Sequence, residues 1–249
     1  MRLVLPHPSP ALARPVGKPL LALSDIHGDI EALDAVLNSV SRIDFSGIVV
    51  AGDHCFGGEA PFEVWQRLQS VGATLTRGAS DFALGVLQTG NITPYSQEQE
   101  DRLNRFAWTR TQLGDVVCRR LANLPITEVI SMDDRSGVMV VHGSPKDPLV
   151  SLSKGLSAPQ IEEATACIAE DVLVVGMTHE PFLRKEDRLL VVNAGTVGAR
   201  SSNALGEAHA NVTLLQGYDD GQVRAYCYDV PYQRTMESSA HHTSHRKVS

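Results

Sequence analysis

The chain has 249 residues, a formal net charge of −7 and an ordinary hydrophobic share of 43%, which suits one sizeable buried core. No basic run stands out to displace counterions, so a nucleic-acid polymer is not the expected partner; a small anionic substrate would need a local positive centre, such as a bound metal. No apolar run is long enough to span a membrane, and the wide spacing of Cys55, Cys118, Cys167 and Cys227 gives no CxxC pair or disulfide framework, which reads as reduced thiols in a cytoplasmic protein.

Residues 1–18 are broken by Pro6, Pro8, Pro10 and Pro15 and lack the continuous apolar stretch of a signal peptide. They read as a disordered lead-in, or as the result of a start codon placed too early. Leu20 to Leu23 reads as a buried strand, and Ile30, Leu33, Val36, Leu37 and Val40 then recur at helical spacing. Gly47 to Ala51 is a second buried strand. Pro61 opens a helix carried on by Phe62, Trp65, Leu68 and Gln69, and Ala73 to Thr76 is a third strand. This β-α-β-α-β start predicts a mainly parallel sheet with right-handed crossovers.

Ser96 to Leu124 is polar and helix-prone, with Leu103, Phe106 and Leu113 as inward candidates and a break near Gly114. Strands return at Gly137 to Val141, Val172 to Val175 and Leu189 to Val192, with a helix from about Ala158 to Ile168. Asn211 to Gln216 and Gln222 to Tyr228 read as a hairpin around Asp219, Asp220 and Gly221. The domain expected from this pass covers residues 19–232, followed by a disordered tail, 233–249.

Polar residues repeatedly follow the strands: Asp25 and His27 after the first, Asp53 after the second, Asp81 after the third, then His142 and His179. Strand ends of open α/β sheets gather at one crevice, where ligands bind. Asp25, His27, Asp53, His142 and His179 are good ligands for a hard or borderline divalent ion. Each fragment alone is a weak signal; a lone Asp-x-His is far more often a turn with a helix cap. Their joint order at successive strand ends is the specific part.

That order, Asp25-Ile26-His27-Gly28, Gly52-Asp53, Gly78-Ala79-Ser80-Asp81, His142-Gly143 and Gly176-Met177-Thr178-His179, resembles the signature of calcineurin-like metallophosphoesterases. It is most similar to their small bacterial and archaeal phosphodiesterase-like branch. The stretches FAWTRTQL, HGSPKDPL, THEPF and VNAGTVG agree, and the likeness runs from about Pro19 to Tyr232. The resemblance implies an α/β fold, a four-layer αββα sandwich of two packed mixed β-sheets flanked by helices, with the site at their common edge. It also implies that Asp25, His27 and His179 hold a first metal, Asp53 bridges to a second and His142 holds that second one. A metal pair of this kind lowers the pKa of a bridging water, and the hydroxide attacks phosphorus in line. Oxygen and nitrogen donors without thiolate suit a divalent transition metal, Mn, Fe, Ni or Zn.

Three positions depart from the family pattern. Ala79 stands for an Asn, Ser80 for a catalytic His or Cys, and Met177 for the first His of Gly-His-Thr-His. Ala79 and Met177 both fall on the second metal, since a methyl cannot coordinate and a thioether is a poor ligand for Mn²⁺ or Zn²⁺. The expectation is one tightly bound ion and a second that is weak or absent. His54 is a candidate catalytic residue that would supply the missing imidazole, weighed against a loosely packed loop histidine. Asp81 is a second catalytic candidate, or a cap for the next helix. Arg77 is a candidate phosphate-binding residue, or half of a structural ion pair.

The function expected is hydrolysis of a small phosphomonoester or phosphodiester. The competing reading is a weakened or inactive member that binds metal or phosphate ligands in a regulatory role. The sequence leaves homo-oligomerisation open.

Overall fold

The computed structural model describes residues 13–198, 202–203 and 205–234. Ten strands form two five-stranded sheets. The first contains β1 (Pro15–Leu23), β2 (Gly47–Ala51), β3 (Thr74–Thr76), β9 (Glu207–Tyr218) and β10 (Val223–Gln233), in the order β10-β9-β1-β2-β3. β1, β2 and β3 are parallel, with Leu20 opposite Gly47 and Val50 opposite Leu75, while β9 and β10 add an antiparallel hairpin. The second contains β4 (Thr127–Ser131), β5 (Gly137–Val141), β6 (Val172–Val175), β7 (Phe182–Glu186) and β8 (Leu189–Asn193), in the order β4-β5-β6-β8-β7. Its three central strands are parallel and its two edges antiparallel.

The buried side chains divide into three groups that define the layers. Leu20, Ala22, Val49 and Ala51 of the first sheet meet Val138, Val140, Val172, Val174 and Val192 of the second in a core between the sheets. The opposite face of the first sheet packs on α1 (Ile30–Ser39), α2 (Pro61–Ser70) and α4 (Gln97–Ala122) through Leu33, Val36, Trp65, Leu68 and Leu121. The opposite face of the second packs on α5 (Ala158–Thr165) through Ile161. Strands buried on both faces need continuous apolar runs, which is why β1, β2, β6 and β8 stood out in the sequence. The result is the expected αββα sandwich.

Local chemistry explains the helix ends. Asp29 caps α1 by accepting the Ala32 N–H at 2.9 Å, and Pro61 starts α2, where its missing N–H costs nothing. Along α2 the inward residues include Val64 rather than Phe62, whose ring is exposed. Gly114 interrupts α4 with φ 70° and ψ 162°, the break expected there. α3 (Ala79–Val86) follows β3 directly.

Two expectations about extent are revised. β1 begins at Pro15, so residues 15–18 belong to the first sheet, where Pro15 pairs with Tyr218. The hairpin is longer than predicted, reaching Glu207 and Gln233. The rest of the lead-in, 1–12, and the tail from 235 lie outside the described residues. No helix among the described residues is long and apolar enough to cross a membrane.

Candidate metal centre

Five side chains converge where the loops after β1, β2, β5 and β6 meet. Donor atoms of Asp25, His27 and His179 lie within 4.8 Å of one another, and so do those of Asp25, Asp53 and His142. Two donors on one ion at ordinary bond lengths are separated by up to about 4.2 Å, so each group needs little adjustment to share an ion. Asp25 belongs to both groups, whereas Asp53 gathers with His142 and not with His27 and His179. The resemblance assigns the bridging position to Asp53, whose charge also acts on His27.

The backbone at these positions is unusual. Asp25, His27, Asp53 and His179 all have φ between 52° and 59°, and Met177 has 69°. Non-glycine residues seldom adopt this left-handed region, and a cluster of them at one place marks a functional site. The loops are tied together: Asp25 N–H donates to the Gly52 carbonyl at 3.1 Å and His27 N–H to the Asp53 carbonyl at 3.0 Å. Gly52 is required by contact as well as by φ 78°, since a Cβ there would lie 2.6 Å from His142 Nδ1.

Hydrogen bonds fix the donors. Asp25 is wholly buried; its Oδ2 accepts the Ser24 hydroxyl and the Met177 N–H, leaving Oδ1 toward the histidines. His27 Nδ1 donates to the Phe56 carbonyl at 2.8 Å, and His142 Nδ1 to the Ala51 carbonyl at 2.7 Å. Each ring therefore presents Nε2 to the centre, the usual way a backbone acceptor sets a ligand's tautomer. His27 Nε2 and His179 Nε2 approach to 3.1 Å beside Asp25 Oδ1. Nitrogen donors that close are held together by a cation or a proton. Burial pushes the Asp25 carboxyl up, but its hydrogen bonds with His179 and His27 outweigh this and hold it well below the usual range. Burial likewise disfavours a charged His27, yet the Asp25 hydrogen bond and the Asp53 charge raise it to about 9. The donor set is oxygen and nitrogen without thiolate, which fits a borderline divalent ion.

Of the three departures, Ala79 and Ser80 adjoin Asp53 of the second group. Ala79 and Ser80 form the first turn of α3 and line the pocket in front of Asp53. The Ser80 N–H donates to Asp53 Oδ1 at 2.9 Å, while the buried Ser80 hydroxyl has no partner. Met177 has a left-handed backbone, and its N–H donates to Asp25 Oδ2 at 2.9 Å. Asn193 steadies the loop that carries His179, donating to the Gly176 carbonyl at 2.9 Å and to the Thr178 hydroxyl at 3.0 Å.

Three other candidates lie away from the pocket lining. His54 is neither at the metals nor loosely packed: it is fully buried, with Nε2 donating to the Thr76 carbonyl at 3.0 Å and Nδ1 unpartnered. The chain turns inward after Asp53, so the ring points to β3 and away from the pocket. Asp81 is also fully buried and behind the site. Its Oδ2 accepts the N–H groups of Asp53 and Gly78, each at 2.8 Å, and its Oδ1 that of His54 at 3.1 Å. Burial raises its pKa, opposed by the nearby His54. It thus caps α3, the alternative the sequence offered, and supports the Asp53 backbone. Arg77 donates to the Ala122 carbonyl at 2.6 Å and lies 4.6 Å from the Phe82 ring centroid, tying β3 to the end of α4; it does not line the pocket.

Sequence reasoning missed the rest of the pocket wall: Phe56, Arg102, Phe106 and Arg234. Phe106 was expected inward on periodicity, and it stands at i,i+4 spacing from Arg102 on the same helix.

A model of the calcineurin-like phosphoesterase superfamily domain matches residues 19–214. Among curated proteins, an uncharacterized protein of Methanocaldococcus jannaschii is 25% identical over 185 residues, 72% of this chain and 69% of its own. Among solved structures, a hypothetical protein of Pyrococcus horikoshii OT3 is similar with a TM-score of 0.72 at 18% identity. A metallophosphoesterase of Sphaerobacter thermophilus is similar with a TM-score of 0.67 at 22% identity. Both comparisons cover 87% of this chain and 89% of the other. At these identities the two structures speak for the fold.

Proposed function

The chain belongs to the calcineurin-like phosphoesterase superfamily, and from that premise we propose that it is a cytoplasmic, metal-dependent hydrolase of a small phosphate ester. The observation that carries this reading is the convergence of Asp25, His27, Asp53, His142 and His179 donors into two groups sharing Asp25. Bound divalent ions supply Lewis acidity there and lower the pKa of a water, so that a nucleophile exists at neutral pH. The protein's part is positioning. The Phe56 and Ala51 carbonyls aim the His27 and His142 rings, Ser24 and Met177 anchor Asp25, and Asp81 holds the Asp53 backbone. Ser80 lines the same pocket, but its hydroxyl is buried and unpartnered, and it is too weak an acid to protonate a leaving group. Four free cysteines support the cytoplasmic setting.

Of the two ions, the one held by Asp25, His27 and His179 binds tightly and the one beside Asp53 and His142 weakly, because Ala79 and Met177 add no donor to it. The metal is Mn, Fe, Ni or Zn, as the donor chemistry allows. The same two substitutions favour a second reading, in which turnover is lost and the chain binds metal and phosphate ligands as a regulatory module.

Metal analysis together with assays on generic phosphomonoesters and phosphodiesters in Mn²⁺ separates the two. The enzyme reading expects one retained ion and turnover that Asp53→Asn abolishes. Equal inactivity of both proteins across metals removes that reading, and two tightly held ions per chain remove the account of the second site.

A further inference from the structure

The pocket in front of the metal centre has a volume of about 1010 Å³, far more than a phosphoryl group fills and at the upper end of small-molecule sites. Its composition away from the metals is uneven. The Phe56 and Phe106 rings meet edge to face, with centroids 5.6 Å apart, beside Ala83 and Leu87; Phe56 is half-buried and Phe106 only 5% exposed, so Phe56 supplies most of this aromatic wall. Phe56 stands next to the first donor group, because its carbonyl holds His27. The ring surface therefore begins where the metals end.

The charges on the rim divide more sharply. Glu59 is paired with Arg105 at 2.6 Å, and Asp29 with Arg234. Arg102 lines the same pocket, its guanidinium carbon 6.0 Å from the Phe56 centroid, and among the described residues it makes no ion pair. It sits one helical turn before Phe106 on α4, so both reach from the same face. An unpaired guanidinium beside the Phe56 ring is a receptor for a carboxylate or phosphate, which it binds through two parallel N–H donors.

We propose that the pocket takes a phosphate ester whose alcohol portion is a planar ring bearing a second anionic group, with the ring against Phe56 and Phe106 and the anion on Arg102. The orientation, with phosphorus at the metal end, rests on the phosphoesterase reading. Arg102 is then the residue that determines specificity.

Phosphonates test this without chemistry, because they are not hydrolysed. Titration calorimetry on the Mn²⁺-loaded full chain compares methylphosphonate, benzylphosphonate and 4-(phosphonomethyl)benzoate. Affinity should rise about tenfold with the ring and about tenfold again with the carboxylate. Arg102→Ala should lose the second step, Arg102→Lys should keep part of it, and Arg120→Ala, on the other half of α4, should keep both. Equal affinity for the three ligands, no binding of any, or a second step that survives in Arg102→Ala overturns the proposal. Ordered binding by a protein that hydrolyses no ester would remove the phosphoesterase reading and leave this ligand assignment in place.

Discussion

The carboxylate of Asp81 lies behind Asp53 and accepts its backbone N–H at 2.8 Å. A candidate for the reaction therefore turns out to hold a ligand's backbone. Asparagine at this position has one acceptor oxygen where the carboxylate has two, so one of three buried N–H groups loses its partner. Asp81→Asn should weaken metal binding about 10–100-fold, the usual effect of losing an outer support. Calorimetric titration with Mn²⁺ reads this directly; wild-type affinity would deny the positioning role.

His54 makes the converse case. Its ring touches the Thr76 carbonyl, lies 3.6 Å from the Asp81 carboxylate and lines no part of the pocket. His54→Leu gives up that hydrogen bond and removes the orphaned Nδ1, so the net change in stability should be within about 2 kcal/mol. Ester turnover and metal content should match wild type. If turnover collapsed while the melting temperature held, the ring would have to be returned to the reaction.

Ala79→Asn combined with Met177→His supplies two donors to the group that now has Asp53 and His142 beside the shared Asp25. The double variant should retain a second ion and gain about 10²–10³ in kcat, the size of one added contact that stabilises charge. Metal stoichiometry and kinetics are read on the same preparation. A second ion with no gain in rate would put the deficit at Ser80.

Gly52→Ala would place a methyl 2.6 Å from His142 Nδ1 and 2.7 Å from Gly78 Cα, at a residue with φ 78°. Loss of stability of about 1–3 kcal/mol is expected from the backbone alone. The ion beside His142 should be lost before the one beside His27 and His179. Thermal melts and metal content check the two effects separately.

Much of this was legible because the central strands are buried on both faces. β1, β2, β6 and β8 had to be unbroken apolar runs, and the ligands follow them in order. β4 and β7 were not legible for the same reason inverted. They are the edges of the second sheet, and their alternately exposed sequences, TEVIS and FLRKE, carry too few apolar residues to stand out. The five side chains whose donors converge were picked out by their order. The roles of Asp81, His54 and Arg77 were not, because a side chain two or three residues from a ligand can face the pocket or the core. Only the turn of the backbone decides which. The Arg102 and Phe106 wall lay in a helix whose polar sequence gave no sign of what it faces.

The left-handed backbone at Asp25, His27, Asp53 and His179 bears on whether this centre can be transplanted. Glycine is the residue that adopts such a conformation most easily, but it has no donor atom to offer an ion. Each of these four therefore sits in a shape that its own side chain resists, held there by neighbouring loops and sheet ends. A design that copied the five side chains onto an unrelated scaffold with relaxed loops would aim their donors elsewhere. What would have to be carried across is the backbone path, including the carbonyls of Ala51 and Phe56 that aim the rings.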